Sequence, residues 1–153
     1  MGNKPLKRHK VLQPISREHH YHLLLCWKIR TGFRKKVATE RIKKYADWIF
    51  GNYIRSHFEF EEKYIFPLLP KGSELLKKVL ADHRRLTRLF QKKDDPIRSL
   101  SRIEEELESH IRFEERIVFA DLQDRLDKEK WNSLEGEIVE KKFKENTEDE
   151  FWV

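Results

Sequence analysis

Apolar residues along this chain recur at three- and four-residue intervals through four long stretches, each bounded by residues that start or stop helices. The first stretch opens after Pro14, with Ser16 as its predicted N-cap, and reaches about Thr31-Gly32 or a little beyond. The second opens near Thr39 and carries Ile42, Tyr45, Ile49, Tyr53, His57, Phe60, Glu61 and Tyr64 on one helical face, until Pro67 and Pro70 end it. The third begins at Ser73-Glu74 and runs to Lys93, where Asp94-Asp95-Pro96 breaks it. The fourth runs from about Pro96 to Leu126. A shorter amphipathic segment with Trp131, Leu134 and Ile138 is predicted to pack on the outside. The acidic tail that follows ends in Phe151-Trp152-Val153, which either docks or hangs loose.

Short connections between long helices make neighbours antiparallel. The expected fold is therefore all-α: an up-down-up-down antiparallel four-helix bundle with a short extra C-terminal helix. Residues 1–13 form a basic N-terminal arm, residues 14–126 the bundle, and residues 127–153 a C-terminal helical segment and acidic tail. A chain of 153 residues suits one domain, and only 5 Gly and 5 Pro among many Lys, Glu, Leu and Arg favour helices over sheets. Charged residues make up 39% of the chain, so much of it must be solvated surface. The lone Cys26 excludes an intramolecular disulfide and suits a reducing cytoplasm, where the protein is expected. No apolar run approaches the roughly 20 residues that span a bilayer, so no membrane partner is expected.

The net charge of +6 raises the question of nucleic acid. Part of the excess is local, at residues 4–10 and at Arg30, Arg34, Lys35 and Lys36. Elsewhere acids and bases alternate as on ordinary exposed helix faces, and no zinc-finger spacing or phosphate loop is present. Specific nucleic-acid binding is not the expected role.

The chemistry lies in a phrase written twice. His57-Phe58-Glu59-Phe60-Glu61-Glu62-Lys63-Tyr64-Ile65-Phe66 is echoed by His110-Ile111-Arg112-Phe113-Glu114-Glu115-Arg116-Ile117-Val118-Phe119. On an α-helix, residues four apart stack on one face, so each copy sets an imidazole beside a carboxylate. These are common ligands for first-row transition metals bound through nitrogen and oxygen. Helix heights then indicate whether further ligands meet them. His57 lies nine residues before Phe66 and His83 ten after Ser73, both roughly 14–15 Å from the same end at ~1.5 Å per residue. His110 matches His83 when measured from the other end. A first-helix histidine, His19 or His20, reaches the same level if that helix continues towards Arg34.

Each piece alone has an ordinary structural explanation. A single His-x-x-x-Glu pair is more often an exposed helix pair, and a lone inward His83 more often a core histidine bonded to a neighbour. Glu59, Glu62 and Glu115 read as solvated groups or as partners of ligands, and Phe60, Phe66, Phe113 and Phe119 as core. His9 and His22 read as surface or supporting residues. Together, however, two carboxylates and four imidazoles at one level of a bundle core would be costly to desolvate without a metal. Two bridging carboxylates with two histidines per metal would leave open positions for a small molecule.

The order His, His-x-x-x-Glu, His, His-x-x-x-Glu over roughly residues 14–126 resembles the hemerythrin-like, HHE cation-binding domain family. The resemblance implies two non-haem iron ions with oxo or hydroxo and carboxylate bridges. It implies His57, His83 and His110 as terminal ligands and Glu61 and Glu114 as bridges. Ile15-Ser16-Arg17-Glu18-His19 is similar to the family's apolar-x-x-acid-His opening and favours His19 on the first helix. The apolar spacing shared with His83 favours His20. The oxygen carriers of that family have two histidines four apart on the third helix, whereas Val79 and Thr87 flank His83 here. The chain is thus similar to the four-His, two-Glu variants implicated in iron handling, nitrosative-stress repair and diatomic-gas sensing. Zinc or manganese would also suit such ligands. The expected function is binding or sensing of a small oxidant: dioxygen, nitric oxide or peroxide. The rivals are a peroxidase-, oxidase- or NO-reductase-like di-iron enzyme, and an interaction bundle without physiological metal.

Overall fold

The computed structural model describes residues 7–153, and residues 1–6 of the basic arm lie outside the described residues. The chain forms four helical rods and one short helix, with no strand among the described residues. The first rod is α1, Gln13–Arg34. The second spans residues 39–68 and is built of α2 (Thr39–Ile49), a π turn (Phe50–Ile54), α3 (Arg55–Phe60), a second π turn (Glu61–Ile65) and a closing 3₁₀ turn (Phe66–Leu68). The third is α4, Glu74–Gln91. The fourth joins α5 (Pro96–Phe113) through a π turn (Glu114–Val118) to α6 (Phe119–Arg125). The short helix α7, Lys128–Glu135, buries Trp131 and Leu134 against the bundle.

Helix ends follow local chemistry, with one departure from expectation. Ser73 accepts a bond from Leu76 N–H and caps α4, while Asp127 accepts from Lys130 N–H and caps α7. Asp95, in the left-handed region at φ 49°, accepts from Arg98 N–H and leads into Pro96 at the start of α5. Ser16, the predicted cap of the first helix, sits inside α1 instead. The helix starts earlier because Pro14 occupies its first turn, where a missing N–H costs nothing. That frees the Ser16 hydroxyl to donate to the Glu115 carboxylate at 2.8 Å.

The π turns explain a second departure. A stripe repeated every four residues drifts around an α-helix, and one widened turn takes up the drift. A π turn opens at Glu61 and another at Glu114, so Ile65, Phe66, Val118 and Phe119 are all buried. Phe60 and Tyr64, expected on the inner face, are only half-buried.

Two apolar layers fill the interior. One contains Leu25, Ile29, Ile49, Ile54, Phe58, Leu86, Phe90 and Leu107. The other contains Leu12, Ile15, Ile65, Phe66, Val79, Val118, Phe119 and Trp131. Where the two layers meet, every rod carries buried polar residues: His19, His57 with Glu61, His83, and His110 with Glu114. Apolar burial on both sides thus positions a polar layer across the bundle. The tail docks over the first two rods: Phe151 is buried against the first apolar layer and Asp149 pairs with Arg41 at 2.6 Å. Lys28, itself buried, donates to the Tyr45 hydroxyl at 2.8 Å and pairs with Glu145.

Candidate metal centre

The polar layer resolves into two donor sets. His19, His57, Glu61 and Glu114 form one, and His83, His110, Glu61 and Glu114 the other, with ligand atoms in each set within 4.8 Å of one another. Both glutamates belong to both sets. His19 Nε2 lies 2.9 Å from Glu114 Oε1 and 3.1 Å from His57 Nε2, while His57 Nε2 lies 3.3 Å from Glu61 Oε1. On the other side His83 Nε2 is 3.3 Å from Glu61 Oε1, and His110 Nε2 is 3.4 Å from Glu114 Oε2. Adjacent donors around one six-coordinate ion with bonds of ~2.1 Å stand about 3.0 Å apart. The observed spacings suit donors converging on shared centres.

Hydrogen bonding supports the same reading. Both carboxylate oxygens of Glu61 and of Glu114, and Nε2 of His83 and His110, are buried with no hydrogen-bond partner. Native interiors rarely leave such atoms unpaired, and each costs about 1–3 kcal/mol. Six such atoms lie together here, within ion-pair distance of imidazole or carboxylate neighbours but without a hydrogen bond. Cations at the two donor sets would give all six a partner. The donor set therefore fits a metal.

Each imidazole is also braced from behind. Nδ1 of His19 meets Glu115 Oε2 at 2.6 Å, and Nδ1 of His57 meets Glu18 Oε1 at 2.9 Å. Nδ1 of His83 meets Glu62 Oε2 at 2.8 Å, and Nδ1 of His110 meets Asp82 Oδ2 at 3.0 Å. A carboxylate that accepts Nδ1–H fixes the tautomer, turns Nε2 inward and raises its basicity as a ligand. The pattern has internal two-fold symmetry: the acid before His19 braces His57, as the acid before His83 braces His110. Likewise the acid after Glu61 braces His83, as the acid after Glu114 braces His19. Glu59, by contrast, is exposed.

Glu18 and Asp82 are the residues that sequence reasoning left without a role. Their signal was an acid directly before a histidine, and it was obscured because each braces a histidine on a neighbouring rod. His20 stands outside the cluster. It follows His19 by about 100° of helical rotation and is exposed on the outer side of α1. His22, one turn on from His19, is buried with its ring 4.8 Å from that of His57, and its Nδ1 has no partner. It is therefore not a surface residue. His9 lies elsewhere, stacked on Trp131 at 4.0 Å.

Electrostatics in the metal-free centre follow from these pairings. Burial opposes a charge on His57 and His110, but Glu61 and Glu18 around the first, and Asp82 and Glu114 around the second, lift both to about 9. His19 is likewise opposed by burial and held well above the ordinary histidine range by Glu114, Glu115 and Glu61. Burial would raise Glu61, yet His57 and its neighbours keep it well below the usual carboxylate range. Burial and the adjacent imidazoles push His22 well down. Phe58 stacks on His83 at 3.8 Å, and Phe66 lies 5.0 Å from the same ring, so aromatic walls shield the centre from water.

Among the described residues, no helix is long and apolar enough to cross a membrane. Comparison with curated proteins and with solved structures returns no match. Residues 11–122 match the family model described as "Hemerythrin HHE cation binding domain", well over half of the chain. With that match and the buried His/Glu cluster together, the chain belongs to the hemerythrin HHE cation-binding domain family.

Proposed function

We propose that this chain is a di-iron protein that binds or senses a small oxidant. His19 and His57 would hold one ion and His83 and His110 the other, with Glu61 and Glu114 shared between the two positions. The observation that carries this reading is the pair of four-donor sets sharing both glutamates. Four protein donors leave a six-coordinate ion with open positions, which a closed structural site does not have. Nitrogen and carboxylate donors accept iron, manganese and zinc, and iron is the choice that adds electron transfer to binding. When bound, the iron pair supplies electrons to a small oxidant such as dioxygen, nitric oxide or peroxide.

The chain's own residues set the conditions for that chemistry. Glu18, Glu62, Asp82 and Glu115 hold the four Nδ1 protons, so each imidazole presents Nε2 to the centre. Phe58 and Phe66 pack on the His83 ring and Phe119 on the His19 ring, and exclude bulk water there. Val79 and Thr87 leave His83 without a second histidine one turn away, so α4 adds no further nitrogen ligand at those positions. The test is to load the reduced protein with ferrous iron and titrate nitric oxide, dioxygen and peroxide while following its absorption. A saturable spectral change with at least one of them is expected. An iron-loaded protein silent to all three would refute the proposal.

A further inference from the structure

A cavity of about 210 Å³ lies between α1, α3 and the C-terminal segment around Ile138 and Val139, and His57 forms part of its wall. Through it one histidine of the centre, His57, borders a hollow that opens towards solvent at Val139. The two-fold pattern of the centre makes this feature informative, because the corresponding place beside His110 is built differently. There Lys78 reaches across, 4.8 Å from the centre of the Phe113 ring and 3.3 Å from Asp82. His19 and His83 correspond with an offset of 64, so the residue matching Lys78 on α1 is Pro14, which has no side chain long enough to do this. On the His57 side the tail supplies the cover instead. Lys141 N–H donates to Glu18 Oε2 at 3.3 Å, while Glu18 Oε1 holds His57.

The lining selects a class of occupant. Ile15, Phe60, Ile138 and Val139 are apolar, and the polar groups are already engaged. Both Glu18 oxygens have partners, the Ser56 hydroxyl donates to Tyr53 O at 3.1 Å, and the Lys141 ammonium is turned to the Asn52 carbonyl and the Tyr53 ring. An ion entering would lose water without gaining a partner, which is costly, whereas a small uncharged molecule loses little. We propose that this cavity is the port through which a small uncharged molecule, of the size of nitric oxide or dioxygen, reaches the metal position of His19 and His57. The proposal rests on the reading of the centre as a small-oxidant site.

Two substitutions fill the cavity from opposite walls at exposed residues, Val139→Trp and Ser56→Trp, and Ser109→Trp makes the equivalent change beside His110. In stopped-flow mixing of nitric oxide with the ferrous-loaded protein, the first two variants are expected to associate at least tenfold more slowly at unchanged iron content. Ser109→Trp is expected to match the unsubstituted protein. In the metal-free protein, dissolved xenon is expected to shift the methyl resonances of Ile15, Ile138 and Val139, and to shift those of Ile15 and Ile138 no longer in Ser56→Trp. Normal uptake by the unsubstituted protein with unchanged rates in both cavity variants, or equal slowing in Ser109→Trp, overturns the port alone. Iron-loaded protein that takes up no nitric oxide overturns the reading of the centre and the port with it, while the xenon shifts still report on the cavity.

Discussion

Replacing Asp82 by Asn keeps the side chain's size and removes the charge that braces His110. Asp82 Oδ2 stands 3.0 Å from His110 Nδ1, and although burial works against its charge, His110 and Lys78 hold its carboxyl below the usual range. A hydrogen bond to a charged group is worth about 1.5–3 kcal/mol. Loss of a carboxylate behind a metal-bound histidine costs 10–100-fold in metal affinity, or about 1.4–2.7 kcal/mol. The two ranges overlap, so a loss of about 2 kcal/mol is expected. It should fall on one ion only, because Asp82 supports the His83/His110 set. Competition titration with a metal chelator should therefore turn one steep isotherm into two steps, the weaker lowered about 30-fold. Glu115→Gln should weaken the other position through His19, and Glu59→Gln should weaken neither. If Asp82→Asn lowered the melting temperature while both affinities stayed at their original values, the Asp82–His110 contact would be a fold-stabilising pair without a role in metal binding.

Three further outcomes follow from the same structure. Glu61→Ala or Glu114→Ala should empty the centre of most of its metal, whereas Glu59→Ala should retain it, as read by metal analysis of the purified variants; equal losses in all three would indicate general destabilisation. His57 and His110 are raised from 6.5 to about 9 in the metal-free centre, so the stability they contribute is fully present below pH 6.5 and is lost as pH rises through about 9. Urea unfolding of the metal-free protein should show its midpoint falling across that window, while metal affinity rises over it because binding displaces those protons; a flat or rising midpoint would contradict the pairing. A Cβ at Gly32 would come 2.7 Å from Ile42 Cδ1 and 3.0 Å from Phe151, so Gly32→Ala should lower unfolding stability by about 1–3 kcal/mol with metal content unchanged. An unaltered urea midpoint would mean that the tail does not pack tightly there.

The rods were legible because their apolar spacing and their stops, at Pro67, Asp95-Pro96 and Ser73, are local signals. Helix heights placed His57, His83 and His110 at one level, and the structure brings them within reach of Glu61 and Glu114. The first rod required more. His19 and His20 are adjacent in sequence, and only the rotation of α1 against its neighbours distinguishes the buried one from the exposed one. The π turns left a trace, the repeated spacing of four through His57, Glu61 and Ile65, but an α-helical reading assigned Phe60 and Tyr64 to the inner face. The bracing of His57 by Glu18 and of His110 by Asp82 runs between rods, so no spacing within one helix reveals it. The same holds for the Lys141 contact to Glu18, which joins residues at opposite ends of the chain.

Metal stoichiometry after saturation with ferrous iron and removal of the excess tests the central claim most directly. Two irons per folded chain are expected, with both lost together on Glu61→Ala because that carboxylate belongs to both donor sets. A folded chain that retains no iron, or that saturates at a single ion, would contradict it.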